Sequence, residues 1–242
     1  MMGKVIMSGI VPPLVAPITG ILASDLAVGS GVYLMEDGTA VEYLVVNQGK
    51  PSGSSLYDDS CDGLWLLRKD IHSNRQWHTS NVNKYESSAI NTWLNVDFFN
   101  SLGSVEQATI KQVKIPYCVG NGNATINSGA NGLPAKVFLL CGYELNWSTS
   151  DTDIFPIIGA CLNYFEGTAR LDKKRIAYLD GTAKGWWLRG NSVVNKISVN
   201  LCADSGIFAN MGASSSNAVR PALVLPSNAV FDTETLILKG VA

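Results

Sequence analysis

Hydrophobic and polar residues alternate in short runs through the first part of the chain. The runs GVYLMEDG, AVEYLVVNQ and GLWLLRKDI have the two-residue period that is typical of half-buried β-strands. Glu36-Asp37-Gly38 separates the first two runs, and the glycine supplies the positive φ that a tight hairpin turn requires. The pattern therefore predicts that the domain opens with antiparallel strands.

A helical pattern follows in SSAINTWLNVDFFNSLG. Its apolar residues recur at helical spacing, and they are Ile90, Trp93, Leu94 and Phe98. We expect Ser87 or Ser88 to cap the N-terminus and Gly103 to end the helix. A second helix is predicted directly afterwards, because Ser104 and Gln107 have the spacing of a capping box.

The rest of the chain is predicted to contain strands, loops and one further amphipathic segment. AKVFLLCGYELNW and VRPALVLP are each predicted to contain a buried strand, and ACLNYFEGTARLDKKRIAYL has a weaker helical pattern. The order of strands, two helices and then short strands is typical of an α+β domain, in which helices lie against a twisted antiparallel sheet. We therefore predict the α+β class.

The N-terminal residues differ in pattern from the rest of the chain. The length of 242 residues suits one large domain, or a main domain with a small extra segment. Residues 4–23 are apolar enough to suggest a signal peptide or a membrane span. Pro12, Pro13 and Pro17 argue against both, because each breaks the helix that such a segment needs. We expect residues 1–29 to form a Pro-rich arm that contacts its own domain, a neighbouring subunit or a larger assembly, and residues 30–242 to form the main domain.

The composition limits the possible partners. Hydrophobic residues make up 46% of the chain and charged residues 16%, so part of the apolar surface is expected to be buried against another subunit or a partner. The net charge is −2 and no basic run occurs, which argues against nucleic-acid binding. The five scattered cysteines are expected to be reduced thiols, which indicates folding in a cytoplasm.

Residues that could carry catalysis or bind a metal are few. His72 and His78 are six positions apart and lack further ligands at the spacing that a metal site needs. Cys141 follows an apolar run, so an inert buried thiol is expected there rather than a nucleophile. The sequence motifs of serine hydrolases, P-loops and dinucleotide-binding proteins do not occur. The sequence therefore predicts no catalytic residue, no metal ion and no cofactor.

Residues 190–217 lie between two strongly patterned segments, WWLR and AVRPALVLP. In this stretch 11 of 28 positions are Asn or Ser. Turns and polar strand faces favour these residue types. A binding surface also combines small hydrogen-bonding residues with apolar contacts such as Phe208 and Met211. The composition alone leaves both interpretations open.

Four motifs, in this order, resemble a known family. YESSAINTWLNVDFFNSL, KVFLLCGYEL, GWWLRG and AVRPALVLP resemble a domain of unknown function that is common in gut bacteria and their phages, and the resemblance covers roughly residues 30–228. That family is similar to the formylglycine-generating-enzyme type of C-type-lectin-like fold. The resemblance thus implies a twisted antiparallel sheet, two helices and an irregular C-terminal binding face.

The variable proteins of diversity-generating retroelements share the C-type-lectin-like fold, and adenine-directed mutagenesis diversifies their C-terminal binding face. Asn is expected where a mutable AAC or AAT codon is unaltered, and Ser is one base change away. The resemblance implies the following displayed, ligand-binding residues: Asn191, Ser192, Asn195, Lys196, Ser198, Asn200, Phe208, Asn210, Met211 and Ser214. It implies these scaffold residues: Trp186, Trp187, Arg189 and Arg220. Gly190-Asn191 replaces the usual Ser-Pro and Cys141 replaces the usual Ser, so we expect the loop after Arg189 to differ in shape from that of the family.

The resemblance favours a non-enzymatic receptor-binding protein that a phage or prophage encodes and a retroelement diversifies. Its partner would be a surface protein or glycan of a target cell. It would act as a homo-oligomer, in a virion tail or on a bacterial cell surface, without inserting into a membrane. A structural module of the same fold without diversification is the alternative. An enzyme of the formylglycine-generating type is disfavoured, because such enzymes bind copper through two nearby cysteines and Cys202 stands alone.

Overall fold

The computed structural model describes residues 17–52, 55–147, 154–168 and 172–242. Most of the expected N-terminal arm, residues 1–16, lies outside these ranges. The described part of the arm contains a short strand and a 3₁₀ turn, and Ala23 in that turn is fully buried in the hydrophobic core. This part of the arm therefore contributes to the main domain.

Nineteen strands lie in the described ranges. In chain order they are β1 (Ile21–Leu22), β2 (Gly31–Glu36), β3 (Thr39–Gln48), β4 (Leu64–Arg68), β5 (Ser73–Gln76), β6 (Val113–Ile115), β7 (Tyr117–Gly120), β8 (Asn123–Asn127), β9 (Leu133–Ala135), β10 (Val137–Phe138), β11 (Ala177–Leu179), β12 (Thr182–Lys184), β13 (Trp186–Asn191), β14 (Ser198–Cys202), β15 (Phe208–Gly212), β16 (Ser216–Val219), β17 (Ala222–Leu225), β18 (Ala229–Phe231) and β19 (Leu238–Val241).

Among the described residues, helical structure is confined to a few short segments. One continuous helix consists of α1 (Ala89–Trp93), a π-helical segment (Leu94–Phe98) and α2 (Phe99–Ser101), and α3 (Ser104–Thr109) follows it. The 3₁₀ turns are Ala23–Asp25, Asp59–Cys61, Gly129–Asn131, Tyr143–Leu145, Asn163–Phe165 and Lys173–Arg175. None of the described helices has the length and apolar character needed to span a bilayer.

The expected α+β class and the C-type-lectin-like arrangement with two helices are wrong. Strands make up 39% of the described residues and helices 17%, and a single helix in this part of the chain reaches seven residues. The expected capping box does not form, because Gly103 takes the N-cap position and the Gln107 side chain donates to the Leu102 carbonyl. The amphipathic segment near residues 160–179 contains 3₁₀ turns and β11 instead of a helix.

Two local predictions are confirmed. Ser88 caps α1, since its Oγ accepts a hydrogen bond from the Asn91 amide at 3.2 Å. Asp37 and Gly38 form the turn between β2 and β3, and both have positive φ, 46° and 78°. In both cases the controlling interactions lie within four residues, so the sequence pattern alone is enough to predict them.

Two five-stranded sheets form the centre of the molecule. The first has the order β10-β17-β4-β3-β2, and all its neighbouring strands are antiparallel. The second has the order β15-β14-β13-β16-β5, in which only β13 and β16 run parallel to each other. Strand β15 is therefore an edge of the second sheet, directly beside the buried strand β14.

The WWLR motif lies in the core. Every residue of β13 is buried, and the Trp186 and Trp187 side chains have no exposed surface. Their indole N–H groups donate to the carbonyls of Arg175 and Arg75 at 3.0 and 2.8 Å. A buried indole needs such a partner, so each tryptophan fixes a neighbouring segment as well as filling volume.

Candidate ligand-binding face

The ten residues expected to be displayed divide into three groups. Asn195, Lys196, Asn210 and Met211 are exposed, and Phe208 and Ser214 are half-buried. Asn191, Ser192, Ser198 and Asn200 are buried, with 2%, 1%, 5% and 5% of their surfaces exposed. All four of the expected scaffold residues are also buried. The exposed surface is therefore smaller than the sequence pattern implied.

The expectation that Asn191, Ser192, Ser198 and Asn200 are displayed is wrong. These residues lie on or beside β13 and β14, whose residues are buried throughout. A strand that is covered on both faces carries no exposed side, so alternation with apolar residues does not indicate display there. Asn191 Nδ2 instead donates to the carbonyls of Asn83 and Cys118 at 2.6 and 3.2 Å.

Asn83 holds the loop between β13 and β14. Its side chain has no exposed surface, and its Nδ2 is within hydrogen-bond distance of the carbonyls of Ser192, Asn195 and Ser198, at 2.7 to 3.0 Å. Its Oδ1 accepts from the Asn121 amide at 2.6 Å. No sequence pattern indicated this role, because the contacts with the loop join positions more than one hundred residues apart.

Six exposed residues lie on the turn after β13 and on β15, and we call them the outer face: Val194, Asn195, Lys196, Ile197, Asn210 and Met211. The turn that contains Val194 meets the end of β15, where the Ala213 amide donates to the Ile197 carbonyl at 2.8 Å. Val194 is 66% exposed, more than any other large hydrophobic residue that the structure describes. Exposed apolar side chains beside amide and amine groups are typical of a contact surface.

A small recess, which we call the aromatic pocket, includes Phe208 of β15, the strand that also carries Asn210 and Met211 of the outer face. Phe208 from β15 contacts Trp147 and Phe155 edge to face, with ring centroids 5.4 and 5.2 Å apart. The pocket has a volume of about 10 Å³. Its lining residues are Cys141, Gly142, Tyr143, Trp147, Phe155, Pro156, Ile158, Gly190, Asn200 and Phe208. None of the described residues that line it is charged.

Three polar atoms of the pocket residues have no hydrogen-bond partner: Tyr143 Oη, Trp147 Nε1 and Asn200 Oδ1. In the described part of the chain six buried side-chain atoms are unpaired in this way, so half of them belong to this pocket. A buried polar atom without a partner costs about 1–3 kcal/mol. This unfavourable arrangement marks the pocket as a place where a ligand group can supply the missing bonds.

A buried ion pair holds the residues next to the pocket-lining Tyr143 and Gly190. The Arg189 guanidinium binds both carboxylate oxygens of Glu144 at 2.6 Å. The Tyr57 hydroxyl and the Cys141 amide also donate to this carboxylate, at 2.6 and 2.8 Å. Burial opposes the charge of Arg189, but the Glu144 carboxylate outweighs this effect and holds the Arg189 pKa well above its usual value. The turn that carries Tyr143 and the end of β13 are thus fixed together.

Comparison with known proteins gave one family. The model of a domain of unknown function, DUF6273, matches residues 62–227. The chain belongs to this family. The DUF6273 region contains the outer face, the aromatic pocket and both partners of the Arg189–Glu144 pair, whereas Tyr57 precedes it. No curated protein and no solved structure matches the chain.

Burial disfavours the charged forms of Cys141, Cys202 and His72 in the DUF6273 region. Burial raises the pKa values of Cys141 and Cys202 to about 12, so both are protonated at neutral pH. Burial also lowers the His72 pKa, and its ring packs edge to face against Trp93 and Phe98. The described residues contain no group of three or more His, Cys, Asp or Glu placed to hold a metal ion.

Proposed function

We propose that this chain is a non-enzymatic ligand-binding protein whose outer face and aromatic pocket contact the ligand. One observation carries this proposal: residues with three unpaired buried polar atoms line a pocket that includes Phe208 of β15, the strand that also bears the exposed Asn210 and Met211. The loop and strand ends that bear these residues are held by Asn83 and by the Arg189–Glu144 pair. A rigid scaffold that presents adaptable side chains is the arrangement expected of a binding protein.

The ligand in this proposal is a surface protein or glycan of a target cell. The chain would act as a receptor-binding protein of a phage or prophage, in a homo-oligomer or virion tail, or on a bacterial cell surface. Several weak sites presented together would raise the overall affinity without a tight single site.

The test compares binding of the labelled full chain to a panel of bacterial strains by flow cytometry. A variant with Asn195→Ala, Lys196→Ala, Asn210→Ala and Met211→Ala should lose labelling. The matched control carries Val96→Ala, Asn100→Ala, Lys184→Ala and Asn228→Ala, which are equally exposed positions outside the outer face. Equal labelling by the two variants, or no labelling of any strain by the natural chain, would contradict the proposal.

Retroelement diversification is proposed for the solvent-accessible positions alone: Asn195, Lys196, Phe208, Asn210, Met211 and Ser214. The buried Asn191 cannot vary freely, because its amide satisfies two carbonyls in the core. Deep sequencing of the 3′ end of the gene in a population should give adenine-confined substitutions at the accessible positions and conservation of Asn191, Ser192, Ser198 and Asn200. An invariant segment would refute diversification.

A fixed structural module is the second candidate function. Four of the ten residues expected to vary are buried, which favours this candidate, because buried residues are less free to change. An invariant 3′ end together with no outer-face-dependent labelling of cells would support this candidate. The two experiments therefore separate a diversified receptor-binding protein, a fixed binding protein and a structural module.

A further inference from the structure

We propose that the aromatic pocket is a subsite for a single hydroxyl group of a neutral saccharide. The inference rests on the proposed function in one respect, namely that a ligand contacts the surface beside β15. It goes further, because the chemistry of the pocket specifies which part of a ligand enters it.

The size of the pocket limits the group that enters. Its volume of about 10 Å³ is close to the roughly 10–15 Å³ that accommodates one water molecule. A hydroxyl group has this size. A carboxamide, an indole or a phenyl ring is too large, which argues against recognition of Gln, Trp or Phe side chains of a protein ligand.

The unpaired atoms specify the polarity of the group. Trp147 Nε1 can only donate, Asn200 Oδ1 can only accept, and the Tyr143 hydroxyl can do either. Trp147 and Asn200 are 93% and 95% buried, because 7% and 5% of their surfaces are exposed. A hydroxyl group both donates and accepts, so it satisfies a donor and an acceptor together.

The walls of the pocket favour a sugar as the source of that hydroxyl. The Phe155 and Phe208 rings are half-buried, so each has accessible surface beside the recess. A pyranose ring presents C–H groups on its faces and hydroxyl groups around its rim. It can therefore lie on apolar rings while one hydroxyl enters the pocket. The described lining residues are all uncharged, which favours a neutral sugar over a sialic or uronic acid.

The test uses the full chain with ¹⁵N-labelled tryptophan and follows the indole N–H signals by NMR. The probes are methyl glycosides of glucose, galactose, mannose and N-acetylglucosamine, and the signal of Trp147 is assigned with Trp147→Phe. At least one glycoside should shift this signal in a saturable way. Sialic acid and the aromatic peptide Ac-Phe-NH₂ should not shift it.

Tyr143→Phe removes one hydroxyl of the pocket with little effect on folding, because the side chain is half-buried and its Oη has no partner. It should weaken glycoside binding roughly two- to tenfold. Tyr178→Phe is the matched control at an exposed position outside the pocket, and it should bind like the natural chain. Equal binding by the two variants would overturn the inference.

The remaining outcomes separate the inference from the proposed function. If no glycoside shifts the Trp147 signal, or if Ac-Phe-NH₂ does so instead, the saccharide subsite is refuted, whatever the cell-labelling experiment gives. If a glycoside binds in the pocket but cell labelling does not depend on the outer face, the subsite stands and the proposed role of the outer face fails.

Discussion

The Arg189 guanidinium and the Glu144 carboxylate form a doubly hydrogen-bonded ion pair with no exposed side-chain surface, and both N–O distances are 2.6 Å. The guanidinium also donates to three backbone carbonyls, those of Pro116, Leu139 and Ile158. The pair therefore joins β13 to three other segments of the chain. Because its donors and acceptors are paired within the protein, each partner depends on the other to remain charged in the core.

Glu144→Gln should destabilise the protein by about 3–5 kcal/mol, because it leaves the Arg189 charge buried without its counterion. The measurement is the free energy of unfolding from urea titration, followed by circular dichroism. Asp59→Asn is the control, since it removes an ion pair with Lys50 at an exposed position, and it should unfold near the midpoint of the natural chain. Similar midpoints for both variants would show that the buried pair contributes little.

Trp187→Ala should cost about 3–5 kcal/mol, because it leaves a cavity in the core and removes the hydrogen bond to the Arg75 carbonyl. Thermal unfolding and near-ultraviolet circular dichroism measure the effect. Val194→Ala should leave both unchanged, since this side chain is mostly exposed. A Trp187→Ala protein with the natural melting temperature would contradict the placement of WWLR in the core.

Asn83→Ala should loosen the loop between β13 and β14 without unfolding the sheets, since three loop carbonyls lose one shared donor. Hydrogen exchange should speed up at the Asn195 and Ser198 amides and stay slow in β4 and β17. Asn81→Ala is the matched control, because this side chain bonds only Ser214 at the exposed surface. Unchanged exchange in the loop would rule out the role of Asn83.

The buried thiols should make stability fall at alkaline pH. Burial raises the pKa values of Cys141 and Cys202 from 9.0 to about 12, so the unfolded chain releases these protons first as pH rises. Between about pH 9 and pH 12 the unfolded state therefore binds fewer protons than the native state, and the free energy of unfolding decreases. Urea titrations from pH 8 to 10 should show this decrease. In the double variant with Cys141→Ala and Cys202→Ala, the free energy of unfolding should fall less steeply with pH. An unchanged slope would assign the pH dependence to other groups.

Sequence patterns predicted the features that depend on neighbouring residues. The Asp37-Gly38 turn and the Ser88 cap form as expected, and the predicted strand in VRPALVLP is β17. Predictions that needed long-range information failed. The capping-box pattern at Ser104 was overridden because the Gln107 side chain bonds Leu102 instead.

The candidate site was predictable in position but not in detail. The segment after WWLR does contain the outer face, yet the sequence could not distinguish exposed from covered strands. Asn200 was expected on the surface and lies under it, because β14 is covered on both sides. Tyr143, Trp147 and Phe155 were missed altogether, since they reach the pocket from a different part of the chain.

Gly190 and Asn200 approach each other closely where both line the aromatic pocket. A Cβ atom at this position would lie 2.5 Å from Asn200 Nδ2, within the range that forces neighbouring atoms to move. The pairing of β13 with β14 also shifts register between Trp187 and Asn191, which is where this close approach occurs. A single methyl group at residue 190 would therefore displace the Asn200 amide, so this one backbone position constrains the side chain that supplies an acceptor to the pocket.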